Sequence, residues 1–155
     1  METMENAIRL VCPHCEAINR VLPARAHDNP VCGRCKQALW PAAPLELTDA
    51  NFDRHVGRSG VPVLVDFWAP WCAPCRAMAP VIGEAARVLA PAVRVAKLNT
   101  EAETSIAARF AIRSIPTLAV FRDGRILQQR AGAMSLAALL EWVRAVVPGT
   151  EWRRE

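Results

Sequence analysis

The sequence of 155 residues lacks any long cluster of charge of one sign, although its formal net charge is +4. All but two of its 19 basic residues are arginines, and the longest basic cluster is the pair Arg153-Arg154. A protein that binds nucleic acid presents its positive charge as a patch or a stripe. We therefore interpret the scattered arginines as a solvated surface and expect no nucleic-acid partner.

Long hydrophobic runs are also absent. The most apolar stretch, from Val61 to Pro70, is interrupted by Asp66 and is much shorter than the roughly 20 residues of a transmembrane helix. Glu2 and Glu5 occupy the region where a secretory signal would be positively charged, and no apolar segment follows them. We expect no membrane association and a cytoplasmic location.

Six cysteines stand out in an otherwise globular composition of 52% hydrophobic and 22% charged residues. They form three C-x-x-C pairs, which are Cys12 and Cys15, Cys32 and Cys35, and Cys72 and Cys75. In a reducing cytosol this spacing indicates metal binding or redox catalysis rather than a disulfide framework.

The first two pairs are typical of a four-cysteine zinc site. The 16 residues between them fall inside the spacing of about 15–20 residues that such sites use. Each pair forms a tight knuckle that directs two sulfur atoms at one point, and Pro13 and Gly33 suit the knuckle turns. Four thiolates complete a tetrahedral shell without an open position, which predicts one structural Zn²⁺. The predicted ligands are Cys12, Cys15, Cys32 and Cys35.

Three alternatives to this zinc site stay open at the level of the sequence. Iron fits the same four-thiolate cage. A second alternative is that the two pairs are unrelated thiols. A third is a mixed site to which His14 or His27 contributes. Because four cysteines already fill the shell, we expect both histidines to be surface residues.

The chain divides into two units according to its pattern. Residues 1–40 carry turn residues and little helical periodicity, which predicts a small zinc-ribbon-like module, and the proline-punctuated residues 41–44 predict a linker. Residues 45–150 alternate between strand and helix patterns and predict an α/β unit. We expect strands at 45–47, 61–68, 93–98, 117–121 and 125–130, and helices at 49–56, 75–89, 100–111 and 135–147. Thr48 and Ser135 are the predicted caps of the first and last helices, and Thr100 with Glu103 a predicted capping box.

The third cysteine pair follows a predicted buried strand and opens a predicted helix, which is the redox form of the motif. Cys72 lies at the helix N-terminus, where unpaired N–H groups and the helix dipole favour an anion. Because the thiolate is the reactive form, we expect Cys72 to have a lowered pKa and to act as the nucleophile. Cys75 lies one turn inside the helix and suits a shielded resolving thiol.

Asp66 interrupts a strand that is otherwise apolar on both faces. A buried carboxyl group without a partner has a raised pKa and stays neutral near pH 7. Beneath the third cysteine pair, such a group would move a proton to and from Cys75. The alternative is a structural aspartate whose oxygens are hydrogen-bonded.

Three separated motifs resemble the thioredoxin family, in residues and in order. They are Phe67-Trp-Ala-Pro-Trp-Cys-Ala-Pro-Cys-Arg76, Ser114-Ile-Pro-Thr-Leu118 and Phe121-Arg-Asp-Gly124. The resemblance covers about residues 45–148, and the module in front makes the whole chain similar to the two-domain, zinc-binding bacterial type, the thioredoxin 2 type. It implies a thioredoxin fold with a central mixed β-sheet flanked by helices. It also implies a protein-disulfide reductase without an organic cofactor.

The resemblance implies roles for single residues. Cys72 matches the attacking cysteine, Cys75 the resolving one and Asp66 the buried proton-transfer aspartate. Lys97 matches the lysine near that aspartate, and Pro116 the cis-proline beside the dithiol. The implied substrate groove consists of Trp71, Ile115, Pro116 and Gly132. The implied partners are disulfide-containing proteins and an NADPH-dependent thioredoxin reductase, and we expect a monomer.

The sequence departs from the family pattern at four positions. Ala73, Ala111 and Ser114 stand where glycine is frequent, and Pro70 stands where a polar residue is common. None of these changes removes a catalytic atom. The rival interpretations are an oxidase or isomerase that uses the same dithiol, a zinc-ribbon adaptor that only binds partners, and a rubredoxin-like electron carrier.

Overall fold

The computed structural model describes residues 6–148. Some residues discussed above lie outside this range. They are Glu2, Glu5, the Arg153-Arg154 pair and the last two residues of the predicted 45–150 unit. Within residues 6–148, no helix has both the length and the apolar character that crossing a membrane requires.

The N-terminal part of the described chain is a small ribbon. Strand β1 (Ile8–Val11) pairs antiparallel with β2 (Ile18–Val21), and a one-turn 3₁₀ helix follows at Pro23–Arg25. A separate bridge joins Val31 to Ala38. The ribbon has its own small core, in which two cysteines are fully buried; its members are Leu10, Cys12, Val21, Ala26, Cys32, Leu39 and Val61.

A five-stranded mixed sheet forms the centre of the rest of the chain. Its strands are β3 (Leu45–Leu47), β4 (Val63–Trp68), β5 (Arg94–Asn99), β6 (Thr117–Arg122) and β7 (Arg125–Ala131). Their order in the sheet is β3-β5-β4-β6-β7. Strands β3, β4 and β5 are parallel, whereas β6 runs antiparallel to both β4 and β7. The predicted mixed sheet is confirmed, and β4 lies at its middle.

Four helices cover the two faces of this sheet. They are α1 (Phe52–Gly57), α2 (Ala73–Leu89), α3 (Thr104–Arg109) and α4 (Leu136–Val146). Helices α2 and α4 pack with Leu64 of β4, while α1 and α3 pack with Val63, Val65 and Phe67. Because side chains alternate along a strand, Asp66 lies on the same face as Leu64. The α2 face of the sheet therefore contains the buried carboxyl group.

The predicted start of α1 was wrong. Thr48 does not cap a helix that begins at residue 49, because α1 begins at Phe52. Thr48 and Asn51 instead exchange two hydrogen bonds, each backbone N–H donating to the other side chain at 2.7 and 3.1 Å. The threonine hydroxyl thus stabilises a turn in front of the helix.

The predicted capping box at the start of α3 was also wrong. The Thr100 hydroxyl donates to the carbonyl oxygen of Trp68 at 3.1 Å, and the Glu103 carboxylate accepts the backbone N–H of Asp49 at 2.7 Å. Helix α3 begins at Thr104. Both side chains satisfy backbone groups of other segments, which a local pattern does not reveal. The predicted cap of α4 is confirmed, since the Ser135 hydroxyl accepts the N–H of Ala138 at 3.2 Å.

The second residue after α3 tests what an alanine costs where glycine is frequent. Ala111 has φ +53°, where a Cβ atom costs roughly 1–2 kcal/mol, partly offset by the entropy that glycine loses on folding. We expect Ala111→Gly to raise the free energy of unfolding by about 0.5–1 kcal/mol, measured by urea denaturation. The matched control is Ala108→Gly at an exposed position inside α3, which is expected to lower it by about 1 kcal/mol. A loss of stability at both positions would contradict this account.

Candidate functional site

The third cysteine pair lies at the start of α2. Cys72 and Cys75 form a disulfide, and their Cα atoms are 5.2 Å apart. Cys72 is the N-cap residue with an extended backbone, and its Sγ accepts the backbone N–H of Cys75 at 3.2 Å. In the reduced protein the same donor and the helix dipole would stabilise negative charge on this sulfur. Pro74 lies in the first turn, where its missing N–H leaves no bond unmade.

Apolar residues surround the two sulfur atoms. Cys72 and Cys75 are buried and pack with Ala69, Trp68 and Ile115. The Sγ atom of Cys72 lies 3.8 Å from the carbonyl oxygen of Ile115. The disulfide therefore contacts the loop that precedes β6, which is the loop that the sequence associates with substrate binding.

That loop has a cis peptide bond between Ile115 and Pro116. Its conformation is held by the Thr117 hydroxyl, which donates to the carbonyl oxygen of Ser114 at 2.6 Å. The backbone N–H of Gly132 donates to the carbonyl oxygen of Pro116 at 2.8 Å. Pro116 is buried, Ile115 is half-buried and Gly132 is exposed. The structure thus brings three of the four predicted groove residues together beside the disulfide.

Trp71, the fourth predicted groove residue, is 65% exposed directly before Cys72. Its indole N–H donates to the carboxylate of Glu101 at 3.1 Å. This contact fixes one edge of the ring and leaves most of its apolar surface in solvent. The sequence analysis missed Glu101, and no local signal indicated it, since the residue belongs to the loop after β5.

Asp66 is buried in the middle of β4, between Lys97 of β5 and Leu118 of β6. Among residues 6–148, its Oδ1 atom has no hydrogen-bond partner. Burial raises the pKa of the Asp66 carboxyl group to about 7, and the positive charge of Lys97 opposes this shift only in part. Lys97 itself pairs with Glu46 at 3.7 Å and lies over the ring of Trp68. The structural alternative, a fully hydrogen-bonded carboxylate, does not describe this site.

A cavity of about 220 Å³ connects the carboxyl group with the dithiol. Asp66 and Cys75 both line it, together with Trp68 and Lys97, and Pro44 lies at its wall. The polar members Asp66 and Lys97 suit a water molecule that carries a proton between carboxyl and thiol. The alternation along β4 therefore positions the Asp66 carboxyl group in the same cavity as Cys75.

The first two cysteine pairs meet at a second site. The four sulfur atoms lie within 4.8 Å of one another, and two of the separations, Cys12 to Cys35 and Cys15 to Cys32, are 3.6 Å. A tetrahedral metal with bonds of about 2.3 Å to sulfur requires separations of about 3.8 Å. Four thiolates at this spacing fit a closed zinc or iron shell. His14 is exposed, and neither His14 nor His27 belongs to the cluster within the described residues.

The two knuckles of this cluster have the same geometry. In the first, the Sγ of Cys12 accepts the backbone N–H groups of residues 14 and 15 at 3.3 and 3.5 Å. In the second, the Sγ of Cys32 accepts those of residues 34 and 35 at 3.3 and 3.5 Å. Glu16 and Lys36, which follow the knuckles, both have positive φ angles, 65° and 68°. Equal turns of this kind direct two backbone N–H groups at the first sulfur atom of each pair.

Asn19 contributes to the second knuckle and was missed by the sequence analysis. Its amide nitrogen donates to the Sγ of Cys32 at 3.4 Å, and its amide oxygen accepts the N–H of Gly33 at 2.8 Å. The backbone N–H of Cys35 and then this amide hold the pKa of the Cys32 thiol at about 5. The sequence offers little signal for this role, since Asn19 is one of two polar residues in the four-residue strand between the two pairs.

This arrangement defines a class of protein. A dithiol that caps a helix after the central strand, with a cis-proline loop against it and a carboxyl group below, belongs to thiol–disulfide oxidoreductases. A sequence model of the thioredoxin family matches residues 43–145, and one described as the N-terminal part of thioredoxin 2, a zinc ribbon, matches residues 11–37.

Curated relatives agree with these matches. Thioredoxin C-3 of Corynebacterium nephridii is 40% identical over 134 residues, which cover 86% of this chain and 92% of the relative. Thioredoxin 1 of Synechococcus elongatus is 48% identical over 93 residues, covering 60% and 87%. Thioredoxin of Mycobacterium bovis is 45% identical over 107 residues, covering 69% and 92%.

The chain belongs to the thioredoxin family. It is a protein-disulfide reductase that works by dithiol–disulfide exchange, and it carries the zinc-ribbon module of the thioredoxin 2 type. The fold class and the activity predicted from the sequence are thereby confirmed. The adaptor interpretation, in which the second part only binds partners, is not needed.

The raised pKa of Asp66 makes the stability of the oxidised protein depend on pH. The folded state holds a proton at about pH 7 that the unfolded state releases near pH 4. The contribution of Asp66 is complete below pH 4 and is lost as the pH rises through 7, so the free energy of unfolding should fall by up to about 4 kcal/mol relative to Asp66→Asn. The comparison with the variant is needed because burial lowers the pKa of His55 to about 4, and this histidine raises the stability as the pH rises from 4 to 6.5. Urea denaturation of both proteins between pH 4 and 8.5 measures the difference. Asp53→Asn, at an exposed position, should show the same pH dependence as the wild type. An equal pH dependence of the wild type and Asp66→Asn would contradict this account.

Proposed function

We propose that Cys72 is the attacking cysteine of the reductase and Cys75 the resolving cysteine. The observation that carries the assignment is the position of Cys72 as the N-cap of α2, where its sulfur accepts a backbone N–H. Cys75 lies one turn inside the helix without such a position. Stabilisation of the anion lowers the thiol pKa and increases the fraction of reactive thiolate at neutral pH.

The first step transfers one bond between sulfur atoms. The thiolate of Cys72 attacks one sulfur of a substrate disulfide, a mixed disulfide forms, and the other substrate sulfur leaves as a thiolate that takes a proton from water. The second step begins when Cys75 loses its proton. Its thiolate attacks the Sγ of Cys72, the protein disulfide forms and the second substrate thiolate leaves. The dithiol has then given two electrons to the substrate.

Asp66 is the proposed acceptor of the proton from Cys75. A base works best when its pKa lies near the working pH, and burial brings this carboxyl group to about 7. The shared cavity supplies a route for the proton through water. In the reverse reaction, the same group returns the proton as the dithiol is regenerated.

We propose that the substrate segment beside its disulfide lies against Trp71, Ile115, Pro116 and Gly132. The exposed ring of Trp71 and the half-buried Ile115 present apolar surface next to the disulfide. Apart from its two chain neighbours, no residue in the described range 6–148 has an atom within 4 Å of where a Cβ on Gly132 would stand, so a substrate backbone has room to approach there. An apolar surface with room for a peptide backbone can accept segments of different sequence, which suits a reductase that acts on varied proteins.

The proposed partners and location follow from the activity. Substrates are proteins with an accessible disulfide, and an NADPH-dependent thioredoxin reductase with a flavin returns two electrons to the Cys72–Cys75 disulfide. The protein works as a monomer in the cytoplasm, where reduction is the favoured direction, and without nucleic acid. We propose its units as a ribbon over 1–40, a linker over 41–44 and a thioredoxin unit over 45–150.

The proposed ligand of the ribbon is one Zn²⁺ held by Cys12, Cys15, Cys32 and Cys35. All four positions of the shell are protein thiolates, so a bound zinc would supply cross-linking of the ribbon rather than catalysis. The small core of the ribbon, in which two of these cysteines take part, is consistent with a module that depends on metal for its stability.

Trapping of intermediates distinguishes the two active cysteines. With Cys75→Ser, the second step lacks its nucleophile, so mixed disulfides with substrates should accumulate on Cys72. With Cys72→Ser, reduction of insulin disulfides should fall by at least about 10³-fold, since the activated thiolate is absent. Mass spectrometry of a Cys75→Ser incubation with oxidised substrate identifies the adduct.

The matched control for trapping is Cys72→Ser under the same conditions, which should give no adduct. Adducts on Cys75 in that variant, at the level found on Cys72, would contradict the assignment. The equilibrium of the wild-type dithiol with glutathione measures the preferred direction. A potential as oxidising as that of a disulfide-forming enzyme would favour the oxidase interpretation.

Metal content tests the ribbon. The purified protein should be colourless and contain one zinc per chain, and Cys32→Ser should lose most of it, because three ligands bind structural zinc more weakly than four. Ser105→Ala, at an exposed position of α3, should retain full content. A red protein with visible absorbance and iron would instead indicate the rubredoxin-like alternative.

A further inference from the structure

A buried arginine lies where the ribbon contacts the five-stranded sheet. Arg94 is the first residue of β5 and is only 6% exposed. Its guanidinium donates to the carbonyl oxygen of Leu39 at 2.9 Å and to that of Val11 at 3.4 Å. It also stacks over the ring of Trp40, 4.3 Å from the ring centre. All three contacts belong to the ribbon or to the residue that ends it.

Within the part of the chain that the structure describes, the charge of Arg94 has no carboxylate partner. None of the ion pairs among residues 6–148 includes it. Burial lowers the pKa of Arg94 to about 10, and the charge of the Cys12 thiolate opposes this shift. The guanidinium therefore stays positive at neutral pH inside the protein. A buried cation without a compensating negative charge is strongly destabilising.

The negative charge available near Arg94 is that of the four-thiolate cluster. Val11, which accepts one of its hydrogen bonds, directly precedes the ligand Cys12. Four thiolates around a divalent metal carry a formal charge of about −2. A cation held at this position compensates part of that charge, and the cluster compensates the cation. Neither unit supplies this compensation alone.

We propose that Arg94 is the positioning residue that couples the metal centre of the ribbon to the sheet of the thioredoxin unit. It connects them in two ways, by hydrogen bonds to two ribbon carbonyl groups and by its charge opposite the thiolate cluster. This inference rests on the zinc site proposed for the ribbon, and it does not depend on the roles proposed for Cys72 and Cys75.

Neighbouring contacts show that the interface is continuous around Arg94. The backbone N–H of Gly60 donates to the carbonyl oxygen of Arg9 at 2.8 Å, and a Cβ atom at Gly60 would lie only 2.8 Å from the Arg9 nitrogen. Arg54 donates to the carbonyl oxygen of Glu16 at 2.8 Å. Val61 belongs to the core of the ribbon rather than to either sheet core. These contacts extend the interface between the ribbon and the rest of the chain beyond Arg94.

Zinc affinity measures the proposed coupling in the full-length chain. With Arg94→Met, which keeps a long side chain but removes the charge and the donors, zinc affinity should fall about 10–100-fold, the usual effect of losing an outer partner of a metal site. Competition with a chromophoric chelator under a phosphine reductant gives the affinity while the thiols stay reduced. The matched control is Arg34→Met, which removes the same charge from an exposed position within a knuckle. Its affinity should change less than about threefold, because solvent screens an exposed charge.

Two results of this comparison would overturn the proposal. A zinc affinity of Arg94→Met within threefold of the wild-type value would show that Arg94 does not couple the metal centre to the sheet. An equal loss in both variants would indicate a general charge effect rather than a positioned guanidinium.

If Arg94→Met does not fold, amide hydrogen exchange of the wild-type protein tests the proposal instead. Removal of zinc under reducing conditions should speed amide exchange about tenfold or more in β5 and in residues 60–62, in addition to the ribbon. Exchange in α4, on the far side of the sheet, should change less than twofold. Faster exchange confined to residues 6–40 would show that the sheet does not sense the metal, and would overturn the proposal.

Discussion

Burial of β4 on both faces is the constraint on which the rest of this structure depends. The strand lies between β5 and β6, so its end, and the helix that follows, have a fixed position relative to the cis-proline loop. The same burial removes water from Asp66 and raises the pKa of its carboxyl group to about 7. One central strand thus determines where the dithiol lies and sets the proton affinity of the group below it.

The two cysteine sites occupy opposite ends of the same parallel strands. Strands β4 and β5 run in one direction; Cys72 follows the end of β4, whereas Gly60, Val61 and Arg94 lie at the beginnings of the two strands. Six residues of strand span about 20 Å. The ribbon therefore contacts the end of the sheet remote from the dithiol. Any influence of its metal on the reductase site has to pass along β4 and β5 or along α2, whose last turn shares a cavity with residues of the ribbon. This geometry favours a stabilising role of the ribbon over direct contact with substrate disulfides.

The sequence was sufficient where the deciding interactions are local. C-x-x-C spacing defines a knuckle or a helix start within a few residues, and the apolar pattern of β4 identifies a central strand, so both sites and the fold class were predictable. Helix starts were not predictable where the side chain is used elsewhere. The Thr100 hydroxyl donates to Trp68, and the Glu103 carboxylate accepts from Asp49, and both partners are far away along the chain. Only the folded structure shows that these distant backbone groups compete with the helix N-terminus for the two side chains.

Asp66 and Arg94 are both buried charged residues of neighbouring strands, Asp66 within β4 and Arg94 at the start of β5. The physical outcomes differ because their chemistry differs. A carboxyl group can become neutral when buried, so Asp66 tolerates an unpartnered oxygen and gains a pKa suited to proton transfer. A guanidinium remains protonated in proteins, so Arg94 has to be surrounded by acceptors, an aromatic ring and negative charge. Those partners come from a separate part of the chain. A buried aspartate thus indicates chemistry at its own position, while a buried arginine indicates that another segment packs against it.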